Sequence, residues 1–335
     1  MKKIIYLLAI ILFSSSISVN AAEIKVGKED LQAAQTQIKT APLPIDKFVG
    51  TFNNEIKIIF SDIDGTLLKF DSKNGRPPVP QQLKDSVQKL EKTNIPFVLV
   101  TGRSYSEAKD IAESIGYNGE YIVSLQGAEI NNSKGELIYK DMLKDKDIDA
   151  ILNDIEYFKK TYNLDSIVYM FVNGKFLSTS KEKPVYNWEE LTTVKSLRDF
   201  GPHYSCSKIV ICEYDPKKIR LIQSAIKKKY PNYHVDLAGG CYCDITSATA
   251  TKGNAIKKLA KKLDIDLKNS AVFGDAENDL SMLRLVKKSG GAAVAVGNAM
   301  AVLKQNANYV TLPVWDCGFS KSVDEILKNN EILKK

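Results

Sequence analysis

Two histidines in 335 residues, His203 and His234, leave little room for imidazole chemistry. Neither lies near another candidate catalytic group, so both read as surface or packing residues. Arginine is almost as scarce, with five of the 47 basic residues, at positions 76, 103, 198, 220 and 284. Without an arginine cluster or a basic–aromatic stripe, the net charge of +7 describes a solvated, lysine-rich surface. That excludes nucleic acid as the partner. A mildly basic field still favours an anionic substrate. The five cysteines lack the paired spacing of a zinc site. Cys206, Cys212, Cys241 and Cys243 permit one or two disulfides in an oxidising compartment, with a pairing that sequence leaves open. Cys317 reads as the odd, packed thiol. The apolar run from Ile4 to Phe13 is too short to span a bilayer comfortably. There is no internal repeat, low-complexity tract or heptad series.

What is present begins with that same run. Lys2 and Lys3 precede it, and small residues ending at Ala21-Ala22 follow it. This is the layout of a secretory signal peptide over residues 1–22, cleaved after Ala21 or Ala22. No cysteine near the cleavage point offers a lipid attachment site. The expectation is a periplasmic or secreted protein with no stable membrane anchor after cleavage. About 313 residues then remain, enough for one large core and a second domain. Residues 23–54 read as an N-terminal extension, either packed on the core or a flexible lead. In it, Lys28 to Ile38 suits a short helix, stopped by Pro42 and Pro44.

From Ile56 the pattern alternates. Ile56–Phe60, Pro96–Val100 and Tyr121–Leu125 are continuous apolar strands, separated by helical segments that start near Pro80 and Ser106. Such alternation predicts a parallel sheet covered by helices. After Gly127 the rhythm changes to a hairpin around Asn132–Gly135, a helix near Ile148–Lys159, and several short strands with one further helix. The regular crossovers resume at Thr251. The fold class is therefore α/β, a Rossmann-like parallel-sheet core over 55–127 and 245–335 with an inserted α+β cap over 128–244.

The chemistry concentrates in four separated motifs. Asp62-x-Asp64-Gly65-Thr66 closes the first strand with two carboxylates and a glycine. Thr101-Gly102-Arg103 closes the second. Lys252 opens a helix, where a cation opposes the helix dipole and an anionic partner would account for it. Gly274-Asp275-Ala276-Glu277-Asn278-Asp279 follows the strand Ala271–Phe273. In this order the motifs resemble those of the haloacid-dehalogenase-like hydrolases, in the Cof-type phosphatase branch with the larger cap. The resemblance runs from Ile56 to about Leu327.

That resemblance implies a Mg²⁺-dependent phosphomonoester hydrolase. Asp62 would be the nucleophile and form an aspartyl-phosphate, splitting one hard displacement into two. Asp64 would act as general acid and then base. Thr101 and Lys252 would hold the phosphate, Lys252 also facing the nucleophile, aided by amides around Gly65, Thr66 and Gly102. Mg²⁺ would take an oxygen shell from Asp62, the Asp64 carbonyl and Asp275, with Asp279 in support. Asn278 would orient the phosphate or Asp275. Arg103 either contacts substrate or pairs with acids at the mouth of the site. The implied partner is a small phosphorylated metabolite such as a sugar phosphate, because the cap closes the site to macromolecules. Tyr169, Phe171, Phe176 and Tyr242 are candidates for a cap-side pocket, each also explicable as packing. The chain reads as a monomer, with a dimer as the alternative. A phosphomutase of the same superfamily and a non-catalytic phosphate-binding protein are the competing functions.

Overall fold

The computed structural model describes residues 41–69, 78–118, 120–182, 191–199, 205–238 and 240–335. The expected signal peptide, the helix expected over Lys28 to Ile38, Arg76 and His203 lie outside the described residues. In chain order the first elements are β1 (Leu43–Pro44), β2 (Ile58–Ser61), α1 (Gln81–Lys92), β3 (Phe97–Val100), α2 (Tyr105–Ser114), β4 (Tyr121–Ser124), β5 (Glu129–Asn132) and β6 (Leu137–Lys140). Next come α3 (Asp145–Thr161), β7 (Ile167–Val172), β8 (Lys175–Ser178), β9 (Leu191–Thr193), β10 (Cys206–Cys212), α4 (Pro216–Lys229), β11 (Tyr233–Ala238) and β12 (Tyr242–Ser247). The chain ends with α5 (Lys252–Lys262), β13 (Ser270–Gly274), α6 (Leu280–Lys288), β14 (Ala292–Ala295), α7 (Ala301–Asn306), β15 (Tyr309–Val310) and α8 (Gly318–Leu333).

Successive side chains of a strand point to opposite faces, and here both faces are dry. Ile59, Leu99 and Phe273 pack with α1, α2 and α8. Ile58, Phe60, Val98 and Val272 pack on the other side with α5, α6 and α7. A three-layer α/β/α core follows directly. Its nine strands run in the order β1-β15-β14-β13-β2-β3-β4-β5-β6. The pairs from β1 to β4 are parallel. The last two, β4–β5 and β5–β6, are antiparallel.

The second sheet has six strands in the order β11-β12-β10-β7-β8-β9. One of its faces carries α3 and α4, through Ile148, Ile151, Ile219 and Ile222. Its other face carries no helix among the described residues. Tyr169, Phe171, Phe176, Val210 and Tyr242 on that face pack against Leu125, Ala128 and Ala250 at the edge of the core. The insertion therefore lies over the core as a cap.

One segment falls differently from its sequence reading, and a second is one that sequence leaves open. The hairpin 129–140, expected to open the cap, extends the large sheet instead, with Tyr121 opposite Asn132. Ile130 explains it: the side chain is buried among Val98, Val100 and Val123 of the core. The end of the N-terminal extension, left open between packed and flexible, is built into the core. β1 pairs with β15, and Phe48 is fully buried with its ring 4.9 Å from both Phe52 and Tyr309. All five cysteines are free thiols. No helix among the described residues is long and apolar enough to cross a membrane.

Candidate active site

The chain leaves β2 toward β3 and β4, but leaves β13 toward β14 and β15 on the opposite side. The strand order therefore reverses between β2 and β13, and the crevice at their carboxyl ends is where such sheets take ligands. Asp62 follows β2, Asp275 follows β13, and Thr101 follows the neighbouring β3. Local bonds fix the first turn. The Gly65 amide donates to the Leu68 carbonyl at 2.8 Å, and the Thr66 and Leu67 amides donate to Ile63 at 3.3 and 2.9 Å. Gly65 has φ +75°, and a Cβ there would stand 2.4 Å from Asp275 Oδ2. Only glycine satisfies both constraints.

The turn corrects one expectation. The Gly65 and Thr66 amides, read as phosphate donors, are consumed within the turn, which must satisfy its own buried backbone. The Thr66 hydroxyl donates to Asp275 Oδ1 at 3.1 Å and so steadies a carboxylate.

Lys252 is 1% exposed and ends between two acids. Its Nζ lies 2.9 Å from Asp62 Oδ2 and 2.7 Å from Asp279 Oδ1. Thr251 makes this geometry local: its side chain caps α5 by accepting from the Asn254 amide at 3.1 Å. Burial works against a charged Lys252, but the Asp279 and Asp62 carboxylates outweigh it and raise its pKa. One cation does not neutralise the cluster, however. Burial pushes the Asp62 carboxyl well up; Lys252 opposes this, and the charges of Asp279, Asp275 and Asp64 add to it. Asp275 is pushed up to about 7, first by burial and then by Asp279, against Lys252 and the Thr66 hydrogen bond.

The donor set fits a hard divalent cation. Oxygens of Asp62, Asp275 and Asp279 all lie within 4.8 Å of one another, and the uncompensated negative charge calls for a cation. Asp279 is committed elsewhere, however. Its Oδ1 accepts from Lys252, and its Oδ2 accepts from the Asp275 and Ala276 amides at 2.9 and 3.1 Å. It therefore orders the cluster, while Asp62 and Asp275 are the carboxylates left to face an ion.

On the other side of the crevice, Arg103 lies against Asp64. Its Nε and Nη2 donate to the two oxygens of Asp64, each at 2.8 Å. A capping box between Ser104 and Glu107 starts α2 immediately after it and fixes the turn. Thr101 is fully buried in that turn, and its Oγ1 accepts from the Arg103 amide at 3.2 Å. Asn278 donates to Gln126 Oε1 at 3.1 Å.

A cavity of about 130 Å³ joins these groups, with Asp62, Asp64, Thr101, Gly102, Arg103 and Asn278 in its wall. Thr66, Lys252 and Asp279 stand behind the wall. The cap contributes Phe176 and Tyr242, whereas Tyr169 and Phe171 pack beneath the surface. His234 sits on β11, paired with Asp236 at 2.6 Å. Sequence reasoning missed two residues of the cap wall, Lys208 and Asp244, which form an ion pair at 2.8 Å with only 4% and 2% exposure. A signal was available: each interrupts an apolar strand with a charge, at the parity of the helix-free face.

The profile described as haloacid dehalogenase-like hydrolase matches residues 59–322. The chain is 26% identical over 297 residues to the phosphatase YwpJ of Bacillus subtilis, covering 81% of this chain and all of that one. Among solved structures, a haloacid dehalogenase-like hydrolase from Bacillus subtilis superposes with a TM-score of 0.66 at 23% identity, covering 80% of this chain and 99% of that one. One from Bacteroides thetaiotaomicron gives 0.64 at 21%, covering 81% and 100%. At these identities the structural likeness concerns the fold alone.

Proposed function

The chain belongs to the haloacid dehalogenase-like hydrolase family, and within it we propose a Cof-type, Mg²⁺-dependent phosphomonoesterase acting on small phosphorylated metabolites. One observation carries the reading. Asp62 lies at the switch point with Lys252 on one oxygen at 2.9 Å and Asp275 beside it. Once a divalent cation balances the acids around it, a carboxylate so placed can serve as the nucleophile toward a phosphoryl group.

In this reading Asp62 attacks phosphorus and becomes the aspartyl-phosphate, while the ester oxygen leaves toward Asp64. Lys252 spreads its charge over Asp62 and the phosphoryl oxygens. The Thr101 hydroxyl donates to one of those oxygens. Mg²⁺, held by Asp62, Asp275 and the Asp64 carbonyl, supplies charge neutralisation of the phosphoryl group when bound. Asp64 delivers a proton to the leaving oxygen and then takes one from the attacking water. To do so it shares its carboxylate between that oxygen and Arg103, which otherwise occupies both of its oxygens. The cap closes over the reaction and limits it to small leaving groups.

The test is phosphate release from a panel of small esters, with Mg²⁺ and with chelator. Asp62→Asn should lose turnover by about a thousandfold or more while keeping its circular dichroism. Near-wild-type turnover in that variant would show that the nucleophile lies elsewhere. We also propose, from residues 1–22, that the enzyme is exported and acts in the periplasm or outside the cell.

A further inference from the structure

A relay of polar side chains crosses from the core to the cap beside the cavity. Lys208 Nζ donates to the Gly102 carbonyl at 2.9 Å and pairs with Asp244 Oδ2 at 2.8 Å. Gln126 Nε2 donates to that same Asp244 oxygen at 2.8 Å. A carboxylate only accepts, so the polarity of the relay is set. Gln126 must present its amide nitrogen to Asp244 and its carbonyl to Asn278 Nδ2, which turns Asn278 Oδ1 away. Two acceptors are left over, Asp244 Oδ1 and Asn278 Oδ1. Both are buried and have no hydrogen-bond partner, and both residues line the cavity. Leaving such groups unpaired is costly unless a ligand completes them.

The charges lining the cavity decide what kind of ligand fits. Five carboxylates line it against two cations, Arg103 and Lys208. Arg103 is engaged by both oxygens of Asp64, and Lys208 by Asp244 and Gly102. Each lining cation is thus already paired with an acid and carries no uncompensated charge for a second anionic group. Acceptors, by contrast, are in surplus, beside an apolar wall of Phe176, Val210, Ala238 and Tyr242 from the cap.

We propose that Asp244 is a specificity-determining residue, selecting a small leaving group that offers hydroxyl or ammonium donors and carries no negative charge of its own. Asp244 Oδ1 accepts a donor of the leaving group, Asn278 Oδ1 accepts a second, and the apolar wall covers its C–H surface. Lys208 is a positioning residue that holds Asp244 against the Gly102 turn. This rests on the phosphomonoesterase reading of the same site.

The experiment compares two esters on one three-carbon skeleton, glycerol 3-phosphate and 3-phosphoglycerate, which differ by a carboxylate in place of a hydroxymethyl group. Wild-type protein with Mg²⁺ should favour the glycerol ester in kcat/KM by at least about tenfold. In Asp244→Asn the ratio should fall to near one or invert, because a negative charge is removed while Lys208 stays. A ratio unchanged between wild type and variant overturns the proposal, since a merely structural role would slow both esters alike. Where the single variant does not fold, the double variant Lys208→Gln, Asp244→Asn removes both buried charges together, and its ratio should fall toward one without inverting, because the acceptor is lost and no cation is freed. Calorimetric Kd values for the two esters on Asp62→Asn, with and without Asp244→Asn, need no turnover. The expected ratio there without turnover in wild type would defeat the hydrolase reading alone. Absence of binding by either ester would overturn the subsite.

Discussion

Replacing Asp275 by Asn should make the metal-free protein more stable, although it removes a proposed metal ligand. Asp275 is held at about 7 against an ordinary 3.8, with burial and the Asp279 charge as the main causes. The gap of roughly three pH units corresponds to on the order of 4 kcal/mol of destabilisation once the folded carboxyl is fully ionised. The sign follows from proton binding. The folded state keeps this proton where the unfolded chain has lost it, so stability is highest below the unfolded value and drops as pH rises through about 7. Asparagine keeps the shape and an oxygen for the Thr66 hydroxyl, and it has no charge to crowd. In urea denaturation with chelator at pH 8, Asp275→Asn should therefore exceed wild type by about 2–4 kcal/mol. The difference should narrow through pH 6 and close near pH 4. Mg²⁺ at a hundredfold its Kd should return about 2.7 kcal/mol to wild type and little to the variant. A metal-free variant no more stable than wild type at pH 8 would refute the charge-crowding argument.

Gly65→Ala places a side chain in left-handed backbone at a cost of about 1–2 kcal/mol, with its Cβ 2.4 Å from Asp275 Oδ2. It should weaken Mg²⁺ binding in a calorimetric titration and lower turnover with it; an unchanged titration would mean that the turn can open without disturbing Asp275. Phe48→Ala empties the aromatic cluster with Phe52 and Tyr309 and should cost about 3–5 kcal/mol in urea denaturation. A loss under about 1 kcal/mol would show that residues 42–54 contribute little to the core. If the proposed export is right, mass spectrometry of protein from its native host finds a mature terminus at Ala22 or Glu23, whereas an intact Met1 on active protein would argue against it.

The strands and the ends at which they carry chemistry were legible in sequence. Apolar runs at 58–60 and Phe97–Val100 are buried on both faces, and that burial is written in composition. Asp62, Thr101 and Asp275 sit immediately after such runs, so locating the strands located them. Lys252 was readable because a lysine in the first turn of a helix conflicts with the dipole unless an acid answers it. Spacing alone does not say which acids answer it; the family resemblance points to Asp62 and Asp279, which reach it from two other elements.

The remaining decisions belong to tertiary packing. Local pattern allows the hairpin 129–140 to start either domain, and Ile130 finding the core decided it. Donors at Gly65 and Thr66 are visible in sequence, but the turn that consumes them forms only around Ile63 and Leu68. The pairing of Arg103 with Asp64 needs the β2 and β3 ends side by side. Lys208 and Asp244 look like interruptions in apolar strands. Strand parity and the register of β10 with β12 put them on one face, and the docking of that face on the core turns them toward the cavity. Sequence determined which residues stand at strand ends, because that depends on neighbours along the chain. Only the folded structure decided which charges meet, because that depends on register and packing between elements that are separate along the chain.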